Sequence, residues 1–187
     1  AVAIDRINKS ITTNHGDVIA YDKLILATGS YAFVPPIPGN ERKNCFVYRT
    51  IDDLDAIRAA SLNAKTGVVI GGGLLGLEAA KALRDLDLDT HVVEFAPRLM
   101  AVQIDDLGGK VLRSKIENLG VKVHTQKATS SIEEGTSTTH VMKFGDGSEL
   151  ETDIILFSAG IRPRDELARQ SGLKMGERGG ISINDYC

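Results

Sequence analysis

The stretch GVVIGGGLLGLEAAKALRDLDLDTHVVE, from Gly67 to Glu94, constrains the fold more than any other part of the sequence. It predicts a short strand of β-branched residues at 67–70, a glycine-rich turn, a helix over 74–86 and a second strand at 90–94. A helix over 104–120 and a strand at 121–125 continue the alternation. Strands and helices that alternate at this spacing indicate a Rossmann-like α/β fold with a parallel sheet.

The glycine-rich turn predicts a dinucleotide site. Gly71, Gly73 and Gly76 follow the spacing G-x-G-x-x-G between a strand and a helix, and Glu94 ends the next strand roughly 20 residues on. Gly71 permits the tight turn, Gly73 leaves main-chain N–H groups open to a pyrophosphate, and Gly76 lets the helix pack closely on the strand. The helix N-terminus favours phosphate, and Glu94 can accept hydrogen bonds from ribose hydroxyls. The alternative is a tight turn that binds nothing.

Two charged residues bear on which dinucleotide binds. The carboxylate of Glu94 repels a 2′-phosphate, which favours NAD over NADP. Arg98, four residues further along, is the counter-evidence because a guanidinium could bind that phosphate. Glu78, inside the helix that follows the glycines, has two open interpretations: a solvated helix face, or a carboxylate near the nicotinamide.

The rest of the chain supplies further elements. A helix is predicted over 49–62, with Thr50 as N-cap and Asp53 at the capping-box position. The Asp-Gly turn at 145–148 predicts an antiparallel β-hairpin or meander. Buried strands are predicted at 23–27 and within 153–160, and a short helix within 164–172. The proline-rich segment 33–39 is an extended connector and the best domain boundary.

Composition narrows the class of protein. The 187 residues carry a formal charge of −3, so no basic surface suggests nucleic acid or anionic membrane. The two cysteines, Cys45 and Cys187, lie far apart, which argues against disulfides or a metal centre and favours a reducing cytoplasm. The four histidines show no spacing typical of a catalytic triad, and we predict no catalytic side chain and no metal ligand.

Two further segments resemble a known family. YDKLILATGS (21–30) and IILFSAGIRP (154–163) resemble the segments through which two-dinucleotide flavoprotein reductases, in the FAD/NAD-binding pyridine nucleotide-disulfide oxidoreductase superfamily, enter and leave the NAD domain. APRLMAVQID, FGDGSELETDIILFSAGIRPRDELARQSGL and GERGGISIND are similar to the large subunits of assimilatory NAD(P)H-dependent nitrite reductases. The resemblance implies hydride transfer from NADH to FAD, then electron flow through an iron–sulfur cluster to sirohaem, where nitrite becomes ammonia.

The resemblance also implies a division of the chain. Residues 1–38 would be a partial FAD-binding domain, 39–163 the NAD-binding domain, and 164–187 the start of the return into the FAD-binding domain. These flanking strips lack the FAD fingerprint and every ligand of the iron–sulfur and sirohaem centres, which would lie outside this chain. The remainder of the same polypeptide and a small subunit are the implied partners. The residues assigned to NAD are Gly71, Gly73, Leu74, Leu75, Gly76, Glu78, Glu94, Gly160 and Ile161, and those assigned to FAD are Ala1, Ala27, Thr28, Gly29 and Arg49.

Other functions stay open at this point. The same segments occur in NADH oxidases and in rubredoxin or ferredoxin reductases. A stand-alone NAD-binding module without an enzymatic step needs the same glycines and the same acid, and a βα domain that has lost its ligand would retain them. As a reductase fragment, the chain is expected to have no turnover by itself.

Overall fold

A computed structural model describes residues 1–187. The chain forms two compact units, Ala32–Gly160 and a smaller unit made of Ala1–Tyr31 with Ile161–Cys187. The boundaries expected at 38/39 and 163/164, and the assignment of FAD and NAD to the parts they define, stay predictions. The helices are α1 (Ile51–Ser61), α2 (Leu74–Asp85), α3 (Asp106–Asn118) and α4 (Glu166–Gln170). The strands are β1 (Ala3–Asp5), β2 (Ser10–Thr12), β3 (Val18–Ala20), β4 (Ser30–Ala32), β5 (Cys45–Val47), β6 (Thr66–Ile70), β7 (Asp89–Glu94), β8 (Val121–Thr125), β9 (Thr129–Glu134), β10 (His140–Phe144), β11 (Glu149–Thr152), β12 (Ile154–Phe157) and β13 (Ile161–Pro163).

The larger unit is built on a five-stranded parallel sheet in the order β5-β12-β6-β7-β8. The predicted α/β fold is confirmed. A strand that is buried on both faces of a sheet has a continuous apolar sequence. Strand β12 is such a strand, since all four of its residues are buried. The predicted capping box of α1 is also present, because Thr50 accepts from the N–H of Asp53 while Asp53 accepts from the N–H of Thr50.

The two faces of this sheet are covered differently. Helices α1, α2 and α3 bury one face, with Leu83, Val92 and Leu156 fully enclosed. The antiparallel sheet β11-β10-β9 covers the other face and brings Met142 against Val68 and its neighbours. The predicted hairpin is confirmed as β10 and β11, which pair across the Asp-Gly turn. The parallel sheet is therefore enclosed, and its functional groups stand at the ends of its strands.

The smaller unit contains the antiparallel sheet β1-β2-β3 and helix α4. The segment 28–29 is tied to Arg164, because the Thr28 hydroxyl donates to the Arg164 carbonyl at 2.6 Å and the Arg164 N–H donates to the Gly29 carbonyl at 2.9 Å. None of the four helices is long and apolar enough to cross a membrane.

The predicted buried strand at 23–27 is wrong. The segment has no regular secondary structure, and Ile25 is 89% exposed. A strand exists only where neighbouring backbone completes its hydrogen bonds. Residues 23–27 have strand-forming side chains but no partner strand in the chain.

Candidate dinucleotide site

The glycine turn connects the carboxyl end of β6 to the first turn of α2. Gly71 has a φ of +118°, and an added Cβ would overlap the carbonyl oxygen of Ser158. The Gly71 N–H donates to the Val93 carbonyl at 2.8 Å, which ties the turn to β7. An added Cβ at Gly76 would overlap the Gly71 carbonyl oxygen. These two glycines are required by the close approach of backbone to backbone.

Gly73 differs from its neighbours because nothing in the fold crowds it. It is the N-cap of α2, has extended φ and ψ, and makes no side-chain capping bond. An added Cβ would meet no atom within 4 Å. The first N–H groups of a helix have no partner inside the helix, so those of Leu74 and Leu75 face an open space with the positive end of the helix dipole behind them. This cradle has the chemistry of an anion site.

Glu94 stands beside the turn at the end of β7 and is fixed at both carboxylate oxygens. Oε2 accepts from the Gly72 N–H at 2.6 Å, and Oε1 accepts from the Ala96 N–H at 2.6 Å. A carboxylate oxygen can accept more than one hydrogen bond. The acid therefore remains able to accept from the two hydroxyls of a ribose, and its orientation is set before any ligand arrives.

Arg98 is engaged within its own loop. Its guanidinium donates to the Ile104 carbonyl at 3.1 Å, to the Ala101 carbonyl at 3.1 Å and to the Asp106 carboxylate at 2.7 Å. Gly109 makes room for the stem, since a Cβ there would lie 2.9 Å from the Arg98 Cδ. The charge that could have bound a 2′-phosphate is paired with Asp106 and committed to the loop.

Gly72 is the residue whose importance the sequence motif does not show. An added Cβ would lie 2.6 Å from the Leu99 Cδ2 and 3.1 Å from the Glu94 Oε2. The Gly72 carbonyl also accepts from the Met100 N–H at 2.9 Å. In the sequence, only the run of three glycines hints that a side chain is excluded here. The atoms that exclude it belong to β7 and to the loop after it, which are distant in sequence.

The other residues assigned to NAD lie at two places. Glu78 is exposed on α2, and its side chain makes no hydrogen bond or ion pair. Gly160 has a φ of +104°, and its carbonyl accepts from the Phe33 N–H at 2.9 Å. Ser158, which abuts Gly71, precedes Gly160 by two residues, so the exit from β12 starts beside the glycine turn. Ile161 begins the second segment of the smaller unit and is 53% exposed.

The residues assigned to FAD are divided between the two units. Ala1, Ala27, Thr28 and Gly29 are exposed in the smaller unit, and Arg49 is exposed in the larger one, directly before the α1 cap.

Elsewhere in the larger unit, burial shifts two neighbouring histidines and a cysteine toward their neutral forms. His91 Nδ1 lies 3.0 Å from His124 Nε2. Burial lowers the pKa of both imidazoles. Burial also raises the pKa of the Cys45 thiol to about 11, so this cysteine is not a reactive thiolate. Sequence reasoning did not anticipate the histidine pair, because it joins residues of two strands.

The chain is similar to known proteins over its whole length. The sequence profile described as "Pyridine nucleotide-disulphide oxidoreductase" matches residues 1–187. The chain is 57% identical to the nitrite reductase (NADH) large subunit of Escherichia coli (strain K12), over 100% of this chain and 22% of that protein. It is 40% identical to a nitrite reductase [NAD(P)H] of Bacillus subtilis (strain 168), over 99% of this chain and 23% of that protein. The chain thus spans less than a quarter of the length of these relatives.

Solved structures show the same fold. A NAD-dependent persulfide reductase from A. fulgidus superposes with a TM-score of 0.92 at 32% identity, over 100% of this chain and 35% of that one. The water-forming NADH oxidase from Lactobacillus brevis, bound to NADH, gives a TM-score of 0.89 at 27% identity, over 98% of this chain and 41% of that one. The resemblance seen in the sequence is confirmed: this chain belongs to the pyridine nucleotide-disulphide oxidoreductase family.

Proposed function

We propose that this chain is the NAD(H)-binding portion of a flavoprotein reductase that transfers hydride from NADH to FAD. The observation that carries the proposal is the pairing of an uncapped helix N-terminus at the open Gly73 with a carboxylate, Glu94, already fixed beside it. A pyrophosphate fits the first and an adenosine ribose fits the second. When bound, NADH supplies the hydride and FAD accepts it.

The chain's own residues bind and orient, and none of them needs to act as acid or base. The N–H groups of Leu74 and Leu75 would hold the pyrophosphate, with Gly71 and Gly76 shaping the turn beneath it. Glu94 would hold the ribose. Gly160 and Ile161, with Glu78, would border the nicotinamide, while Ala1, Ala27, Thr28, Gly29 and Arg49 would contact FAD.

NAD is the favoured nucleotide. Glu94 would repel a 2′-phosphate, and Arg98 is paired with Asp106 and with two carbonyls of its own loop. Three of the five N–H donors of Arg98 are therefore already used within its own loop, and its charge is paired with Asp106. Arg98 is therefore less available to a 2′-phosphate than its place in the sequence suggests.

Nitrite is the terminal acceptor that the relatives suggest, since three proteins named as nitrite reductases are 57%, 58% and 40% identical to this chain over 99–100% of its length. Electrons would pass to an iron–sulfur cluster and sirohaem in the remainder of the polypeptide, with a small subunit as a further partner, in the cytoplasm. The alternative is a reductase module that passes electrons to another acceptor. It is supported by the similarity to a rubredoxin-NAD(+) reductase of Alcanivorax borkumensis, which is 31% identical over 91% of this chain.

The binding claim is tested by calorimetric titration of the chain with NADH and with NADPH. We expect NADH to bind more tightly, and Glu94→Gln to weaken NADH about tenfold, the loss of a charge-assisted hydrogen bond. Equal affinity for both nucleotides would contradict the choice of NAD. Reduction of a dye by NADH tests the fragment claim, because rapid turnover by this chain with added FAD would show that no further domain is needed.

A further inference from the structure

We infer that Gly72 sets the selectivity of this site for NADH over NADPH, acting as a positioning residue through Glu94. The inference rests on the proposed function, because it concerns the same nucleotide site. The G-x-G-x-x-G spacing leaves this position open to any residue. The structure gives it three contacts that the spacing does not describe.

The first contact orients the acid. The Gly72 N–H donates to the Glu94 Oε2 at 2.6 Å, while the Ala96 N–H holds Oε1. Hydrogen bonds to an ionised carboxylate are short and strong. Two such bonds on two oxygens fix the rotation of the carboxylate plane, so the remaining acceptor directions are fixed as well.

The second contact orients the loop that follows the acid. The Gly72 carbonyl accepts from the Met100 N–H at 2.9 Å. Leu99, the residue before Met100, is fully buried in the core on the helix face of the sheet. The N–H and the C=O of one residue, Gly72, thus connect the glycine turn to the two ends of segment 94–100.

The third contact excludes every side chain. A Cβ at Gly72 would lie 2.6 Å from the Leu99 Cδ2, 3.1 Å from the Glu94 Oε2 and 3.2 Å from the Glu94 Cβ. Leu99 is enclosed and has little room to move, so the turn itself must shift away from Leu99. That shift disturbs the hydrogen bond from the Gly72 N–H to Glu94 Oε2, while the added Cβ also crowds the Glu94 side chain. Gly72 does not adopt a left-handed backbone conformation. Alanine there consequently adds a steric conflict without adding backbone strain.

Selectivity follows from how firmly the carboxylate is held. A fixed carboxylate offers its free acceptor sites to the ribose hydroxyls of NADH and cannot turn away from the 2′-phosphate of NADPH. A displaced carboxylate loses its hydrogen bonds from the ribose hydroxyls of NADH, and it repels the 2′-phosphate of NADPH less strongly. Gly72→Ala should therefore weaken NADH while leaving NADPH unchanged or slightly tighter.

The test is a double-mutant cycle on the 187-residue chain with Gly72→Ala, Glu94→Gln and the pair. Calorimetry gives the dissociation constants for NADH and NADPH. We expect Gly72→Ala to reduce the NADH:NADPH preference about tenfold, the loss of one charge-assisted hydrogen bond. In the Glu94→Gln background the same substitution should change that preference less than about twofold, because the group it acts through is already altered.

A matched control separates positioning from stability. Ile154→Val removes one buried methyl group from the same core and should lower the free energy of unfolding without changing the nucleotide preference. If Gly72→Ala behaves like this control, or weakens both nucleotides by the same factor, the inference is overturned. It is overturned equally if the effects of Gly72→Ala and Glu94→Gln on the preference simply add.

A readout without nucleotide examines the contact itself. In the wild-type chain, the Gly72 amide should be protected from hydrogen exchange by its bond to Glu94, and Glu94→Ala should remove that protection. A Gly72 amide that exchanges equally fast in both chains would refute the positioning role even if NADH binds. A wild-type chain that binds neither nucleotide would refute the proposed function, and with it the selectivity claim, whatever the amide shows.

Discussion

Substituting alanine for Gly73 should abolish nucleotide binding while leaving the fold intact. An added methyl group at this position meets no protein atom within 4 Å, and the extended backbone accepts alanine. Alanine is a poorer N-cap than glycine, by roughly 0.5–1 kcal/mol. It also restricts the unfolded chain, which stabilises by about 0.4–1 kcal/mol. These terms nearly cancel, so the free energy of unfolding should change by no more than about 0.5 kcal/mol.

Binding should respond quite differently. The methyl group would stand in the open space at the start of α2, where a pyrophosphate held by the Leu74 and Leu75 N–H groups would have to lie. Each hydrogen bond from such a group to an anionic oxygen contributes about 1.5–3 kcal/mol. Loss of two costs at least about 3 kcal/mol, more than a hundredfold in the dissociation constant for NADH.

Gly76→Ala is the matched comparison within the same motif. Its methyl group would overlap the Gly71 carbonyl oxygen, so helix α2 must shift from the turn and stability should fall by about 3 kcal/mol. Urea unfolding and NADH titration of both variants give the two quantities separately. If Gly73→Ala binds NADH within about threefold of the wild type, the pyrophosphate does not lie on this turn and the reasoning fails.

Three further predictions concern other parts of the chain. Because burial lowers the pKa of His91 and His124 below the ordinary 6.5, the unfolded chain binds more protons in mild acid, and the free energy of unfolding should fall from pH 7.5 to 5. Urea titrations should show a shallower pH dependence for His91→Gln than for the exposed control His15→Gln, and equal slopes would contradict this cause. Phe95 follows Glu94 and is 78% exposed, so we expect it to stack on the adenine ring. Phe95→Ala should lower the affinity for NADH and for ADP-ribose by the same factor, about tenfold or more, and leave the affinity for reduced nicotinamide mononucleotide unchanged. Loss of affinity for the mononucleotide as well would argue against stacking. Thr50→Ala removes the α1 cap and should cost about 1 kcal/mol in thermal or urea unfolding, whereas Thr50→Ser should cost little.

Sequence was sufficient where the signal was local. The capping box needs only Thr50 and Asp53 at the right spacing, and both hydrogen bonds are present. The Asp-Gly hairpin is equally local, since the turn dictates the pairing of β10 with β11. The parallel strands were found because burial on both faces leaves uninterrupted apolar runs.

Sequence was insufficient where a residue's role depends on distant neighbours. Gly72 is constrained by the side chains of Leu99 and Glu94, which no spacing rule connects to it. The sequence suggests that Arg98 is a free cation near Glu94. In the structure, its guanidinium is bound by two carbonyls and one carboxylate of the loop that folds around it. The segment 23–27 has the composition of a buried strand, and composition does not reveal whether a partner strand is available.

That unpaired segment has a consequence for how the chain behaves in solution. KLILA combines strand-forming side chains with backbone N–H and C=O groups that pair with no strand, and its central isoleucine is almost entirely open to water. Such a stretch offers hydrogen bonds to any extended backbone that approaches, including the same stretch of a second copy. Self-association of the chain should therefore grow with concentration and begin at this segment, remote in sequence from the glycine turn.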